Sequence, residues 1–268
     1  MTESFGYEFY HNDCARARYW VNSDGSKGGV VAVSATVDPS ATIAAGAVVF
    51  PSAVIGKMVK VGAEATVREG AKIDDASIIG DKADIGSAAM IFTGVDVGQN
   101  SYIGEKVYIG ENATIGKMTR IEDNADIGGN VSIGANVTVL NQTVIGHYSK
   151  IGDGTKIDDM ANIGDGADIG EGVDVGHGAD IGKQAAIGAN TTIDTAVKMG
   201  DDVSIGDNVS IGAHVSIGSF VRIGDRCHIK SDSGLGEDIL QIGNNACIGD
   251  DVRIAGSSEI GHGIQIDG

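Results

Sequence analysis

The chain has 268 residues with 42 Gly and only 2 Pro, and its 37 Asp and Glu outnumber 19 Lys and Arg for a net charge of −18. Average usage of about 7% would give roughly 19 glycines. Collagen is excluded, since it needs Gly at every third position and much Pro, and a chain that is 42% apolar is not of disordered composition.

The acidity repels phosphate, and no basic cluster exceeds Arg16 and Arg18, so no nucleic-acid partner is expected. No apolar run nears the roughly 18 residues of a membrane span. Residues 1–6 lack the basic and apolar stretches of a signal peptide. Three cysteines, Cys14, Cys227 and Cys247, are too few for a disulfide framework. A protein made in the cytoplasm is expected.

Residues 1–29 are the first predicted element, and they hold Phe5, Tyr7, Phe9, Tyr10, Tyr19 and Trp20, half of all the aromatics. Two readings stand side by side. The segment caps the open end of the structure that begins at residue 30, or it is an anchor that docks into a partner.

A repeat begins at residue 30. Stepping by six from Val31 through Val37, Ile43, Val49 and Ile55 to Ile229 meets Val or Ile every time except at Met199. Leu235 keeps the step, one extra residue intervenes near 236–241, and Ile242, Ile248, Ile254, Ile260 and Ile266 resume it. Two places before each aliphatic stands a small or β-branched residue, which is strand periodicity. One and three places after, Gly and Asn recur, residues that tolerate positive φ and so mark corners. A period of six leaves room for one short strand and one corner. Such a ribbon buries its apolar face only by stacking coil on coil. A nine-residue calcium-binding repeat is rejected, because the six-step is unbroken where residues 163–182 suggest it.

Runs such as Ile163-Gly-Asp-Gly-Ala-Asp-Ile169 and Ile205-Gly-Asp-Asn-Val-Ser-Ile211 resemble the hexapeptide-repeat (bacterial transferase hexapeptide) superfamily over about residues 31–268. That resemblance implies an all-β fold, a single left-handed parallel β-helix (β-solenoid) with three hexads per coil. About 13 coils result, after the short non-repeat segment. The expected domains are 1–29, a cap or anchor, and 30–268, the β-helix.

With three hexads per coil, residues 18 apart stack. Lys150 then meets Asp168, Lys156 meets Asp174, and Lys198 meets Asp180, so the outward aspartates read as charge rungs rather than as a metal belt. Apolar outward residues concentrate before residue 148. Val54, Met90, Tyr108 and Val144 share one face and Val48 and Tyr102 another, with Phe50, Phe92 and Leu140 adding bulk. They are the expected interface of a homo-oligomer, with a trimer following the family's habit.

Well-known relatives are acyltransferases, and the resemblance would imply a general-base His, a loop interrupting the coils and a C-terminal helical segment. The hexads show no such loop or tail. His147 and His214 are therefore weak candidates, relevant only if the protein is an enzyme with a site between subunits. The histidine spacing fits no zinc site, and no cofactor or metal is expected. Cys227 is inward and Cys247 outward, and Gly-x-Gly strings are corners rather than phosphate loops. The expected function is a non-catalytic structural solenoid, a rigid assembly or virion decoration module attached through its N-terminal segment. The alternatives are an acyltransferase and a glycan- or peptide-binding module.

Overall fold

A computed structural model describes residues 4–10, 13–230, 240–256 and 259–268, without the side chains of Tyr10 and Asp13. All regular structure among these residues is β-strand, so no described helix is long and apolar enough to cross a membrane. The chain divides into two compact units, Met1–Asn130 and Val131–Gly268.

Both units are coils of three two-residue strands, which face three sides here called A, B and C. The strand Lys72–Ile73 on face B of the first unit is typical. It pairs in parallel with Val54–Ile55 and with Met90–Ile91, each 18 residues away. Ile73 and Ala71 are buried, because the three sides converge on a narrow interior that one large and one small side chain per side fill. Where the small position is Ser or Thr, a carbonyl satisfies the hydroxyl: Ser77 Oγ donates to the Phe92 carbonyl at 2.8 Å. The backbone bonds run from coil to coil, as in Lys72 N–H to Ala89 O (2.8 Å) and, at a corner, Ala76 N–H to Lys57 O (2.8 Å). Face B holds 13 strands across the two units, one per coil, in agreement with the expected count.

The acid content has a structural cause that periodicity alone does not reveal. Two places after a core aliphatic, a corner carboxylate accepts the backbone N–H of the residue 18 earlier. Asp75 accepts from Lys57 (2.7 Å), Asp81 from Ala63 (2.8 Å), Asp165 from His147 (2.9 Å) and Asp207 from Ala189 (2.7 Å). Corner N–H groups that no strand partner reaches are thus satisfied by anions, a charge-assisted arrangement.

Asp165 and Asp251 carry a pH dependence. Lys183, first, and then the His147 N–H hold Asp165 below the usual carboxylate range, and Arg226 does the same for Asp251. A carboxyl with a lowered folded-state pKa stabilises the fold above its unfolded value of about 3.9 and loses that contribution as pH falls through the lower value. The thermal midpoint should therefore hold steady above about pH 5 and fall below about pH 4. A midpoint unchanged between those pH values would count against Asp165 and Asp251 as stabilising groups.

The N-terminal segment folds as antiparallel strands β1 (Phe5–Tyr10), β2 (Asp13–Val21) and β3 (Lys27–Ala32), and β3 then pairs in parallel with Val48–Val49 of face A. Trp20 and Asn22 close the first coil. Trp20 is buried and its Nε1–H donates to Ala41 O at 3.3 Å. Asn22 mimics a missing strand: Oδ1 accepts the Ile43 N–H (2.9 Å) and Nδ2 donates to Ile43 O (3.2 Å). Gly29 allows the close approach, since a Cβ there would stand 2.1 Å from Ala47 O. Phe9 packs on Phe50 with ring centres 5.2 Å apart. Phe50 is buried, so it serves the cap and adds nothing to an outer contact surface. Asn22→Ala leaves both Ile43 groups unpaired and should cost about 2 kcal/mol, read as a lower denaturant midpoint at unchanged slope.

The second unit departs from the sequence reading at one corner. Ile217 pairs with Ile242 and Ile229 with Ile254, each 25 residues apart instead of 18. The core place on face B after Ile229 is therefore filled by Ile242, preceded by the fully buried Leu240. Seven extra residues enter at this corner, where one was expected. Leu235, which keeps the six-step in the sequence, lies outside the described residues. The discrepancy arises because seven residues exceed one hexad by one, so an inserted aliphatic can fall on the step by chance.

Candidate functional site

The interrupted corner lies on the edge between faces A and B, one coil beyond the corner that carries His214. Beside it the second unit has a cleft of about 360 Å³ lined by Ala196, Lys198, His214, Val215, Ser216 and Gln241. Face B supplies Lys198, Ser216 and Gln241, which stack in register. The edge supplies Ala196 and His214, both held at positive φ by the corner. His214 is anchored by its N–H to Thr195 O (3.0 Å), and the residue is exposed. An imidazole, an ammonium, a hydroxyl and a carboxamide thus line one cleft. This set can take a proton, neutralise an anion and orient a polar substrate by hydrogen bonds.

His147 does not join it. It sits on the edge between faces B and C, where its N–H is bound by Asp165 and its ring centre lies 6.4 Å from that of Tyr148. Of the outward apolar residues, Val54, Met90 and Tyr108 are exposed on face B of the first unit, with Lys72 between Val54 and Met90. Phe92 packs on Tyr108 with ring centres 4.5 Å apart. Val48 and Tyr102 are half-buried on face A, where the Arg120 guanidinium lies 4.4 Å from the Tyr102 ring centre. Val144 is exposed in the second unit. Of the N-terminal aromatics, Phe9 and Trp20 are buried, Phe5 and Tyr7 half-buried and Tyr19 exposed under the Lys27 ammonium; the Tyr10 side chain lies outside the described residues.

The expected charge rungs form only in part. Lys150 does stand beside Asp168, and Lys156 beside Asp174. Among the described residues, however, the ion pairs within 4 Å run along the strand, as in Lys156–Asp158 (3.4 Å), across corners, as in Lys183–Asp165 (3.1 Å), or diagonally between neighbouring strands, as in Arg68–Asp84 (2.6 Å). Among the described residues no group of three His, Cys, Asp or Glu is placed to hold a metal ion.

A known repeat profile covers part of the cleft. A profile for the bacterial transferase hexapeptide, six repeats long, matches residues 202–237. The stretch contains His214, Ser216 and the start of the insertion. The coils and this profile match are those of the hexapeptide-repeat superfamily.

A second profile, for the GMPPB C-terminal domain, matches residues 59–149 and 85–177 of this hexapeptide-repeat chain. No curated protein matches the chain. Among solved structures it is similar to a UDP-N-acetylglucosamine acyltransferase of Arabidopsis (21% identity, 75% of this chain and 67% of that one, TM-score 0.29). It is also similar to another UDP-N-acetylglucosamine acyltransferase (14%, 70% and 70%, 0.40). A third likeness is to the acetyltransferase domain of PglB from Neisseria gonorrhoeae (26%, 48% and 53%, 0.26).

These findings correct the functional expectation. A non-catalytic solenoid for virion decoration rested on coils without interruption, and the coils are interrupted beside His214. The matched repeat is that of bacterial transferases, which overturns the decoration reading.

Proposed function

We propose that this hexapeptide-repeat protein is an acyltransferase that works at the His214 cleft. It moves an acyl group from a thioester donor to a hydroxyl or amine acceptor. The observation that carries the reading is a coincidence of place. The transferase profile covers the corner where, among the described residues, the coil register breaks, and His214 lines the cleft beside it.

His214 takes the proton of the acceptor as the acceptor oxygen or nitrogen bonds to the thioester carbonyl carbon. The carbon–sulfur bond then breaks, and the leaving thiolate receives that proton from the imidazolium. Lys198 offsets negative charge on the donor or on the transition-state oxygen. Ser216 and Gln241 orient the acceptor. The cleft is open on one chain, whereas a general base works best in a site partly closed to water. A second copy of the chain supplies the missing wall, so the active form is a homo-oligomer, a trimer, with one site at each junction.

The test is turnover. Acetyl-coenzyme A and longer acyl thioesters, offered with a panel of sugar and amine acceptors, should release free thiol, and His214→Ala should lower the release at least about 100-fold. Thiol release undiminished in His214→Ala would refute the assignment of the cleft.

A further inference from the structure

A second cleft in the same unit, about 590 Å³, opens on the edge between faces B and C. It is built as two columns. Asp202, Phe220 and Asn245 follow one another along the corner, and Ser204, Arg222 and Cys247 stack in register on face C. Consecutive coils bring successive members of a column within about 4.8 Å.

Two features set this place apart from the repeat around it. Phe220 occupies a corner position at a φ of +61°, where the neighbouring coils carry Gln184, Asp202 and Asn245, and 57% of it is exposed. Tyr148, four coils earlier, is the other aromatic of that column. A bulky aromatic in the left-handed region is disfavoured, and exposing it to water recovers nothing. Arg222 and Asp202 share the cleft, yet neither is in an ion pair within 4 Å among the described residues, with each other or with anything else. Elsewhere the guanidinium of Arg226 is clamped by Asp251 at 2.8 Å. An aromatic face, a free cation and a free anion therefore stand within one coil of each other.

The charges decide the ligand class. The one cation of this cleft, Arg222, shares it with the anion Asp202, so a lone phosphate that met Arg222 would also face a like charge. A zwitterion carries no net charge and still satisfies both free groups. We propose that this cleft binds a free α-amino acid with an aromatic or large apolar side chain, its carboxylate on Arg222, its ammonium on Asp202 and its side chain on Phe220. Ser204 and Asn245 complete the hydrogen bonding of the two charged ends. The site lies across face B from His214, so it is separate from the acyl-transfer cleft and stands whether or not that reading holds.

Cys247 provides the readout, because its exposed thiol lines the cleft. Alkylation by iodoacetamide is followed by mass spectrometry, with exposed Cys14 as the internal reference and buried Cys227 as the report of an intact fold. With a dissociation constant of about 1 mM, L-phenylalanine at about 10 mM should slow Cys247 alkylation about tenfold and leave Cys14 unchanged. Phenylacetate and phenethylamine, each lacking one charged end, should give little protection. Arg222→Gln and Asp202→Asn should each remove it, with Arg222→Met used in place of Arg222→Gln if Cys227 becomes reactive. His214→Ala should leave protection intact, which separates this test from that of acyl transfer. Absence of protection by L-phenylalanine, equal protection by phenylacetate or adenosine monophosphate, or protection that persists in both charge variants would overturn the proposal.

Discussion

Replacing His214 with alanine is expected to lower acyl transfer by about 10²–10⁴-fold, the range that a positioned general base contributes. The loss should fall on kcat and on kcat/KM alike, because the proton is taken only as the acceptor attacks. Fold and assembly should be untouched. His214 is exposed, and its corner is held by backbone bonds that alanine retains: His214 N–H to Thr195 O and, one coil earlier, Ala196 N–H to His177 O. The preceding member of that corner column is Ala196 itself, which adopts the same positive φ. His147→Ala is the matched control. It removes an imidazole from an exposed corner on another edge, where the carboxylate of Asp165 accepts the backbone N–H that alanine retains. Turnover should survive that change. Equal losses in both variants would mean that corner histidines act on stability, and the cleft would lose its assignment.

The fold was legible because a six-residue step is hard to produce by chance over so many coils. Core aliphatics such as Ile73 and Ile163 are buried where that step places them. The site was not legible, and the cause is the same step. A seven-residue insertion carrying Leu235 at the sixth place after Ile229 hides in a six-residue rhythm, and only the pairing of Ile217 with Ile242 exposes it. Without that break, nothing distinguishes His214 from any other solvated corner residue. Asn22 is equally hidden, since nothing in the neighbourhood of a single asparagine tells that its amide will complete the strand at Ile43. The acids are visible as charge but not as hydrogen-bond acceptors. Their partners, such as the Lys57 N–H for Asp75, are backbone groups that carry no side-chain signature.

Two glycine-to-alanine changes in the first unit should have very different costs, although the sequence presents both residues as corner glycines. Gly70 stands three places after its core aliphatic at a φ of +66°, and an added Cβ would meet nothing within 4 Å. Gly86 stands one place after Ile85 and lies outside the positive-φ set, but an added Cβ would come within 2.3 Å of Gly104 O and 2.4 Å of its carbonyl carbon. The first position needs glycine for conformation and the second for approach. At Gly70 the cost is the left-handed penalty, about 1 kcal/mol, which residues such as Met58 and Ala88 already bear at equivalent corners. At Gly86 the obstacle is backbone, which cannot rotate away as a side chain would. Relief requires the coil of Gly104 to move, and with it the bond from Gly86 N–H to Ile103 O at 2.7 Å. Overpacking against a fixed neighbour costs about 3 kcal/mol. Chemical denaturation of the two variants should therefore place Gly86→Ala well below Gly70→Ala in stability. Equal midpoints would show that the coils can spread at a corner without loss. In that case the glycines one place after each aliphatic would serve the turn rather than the close stacking that makes the solenoid stiff.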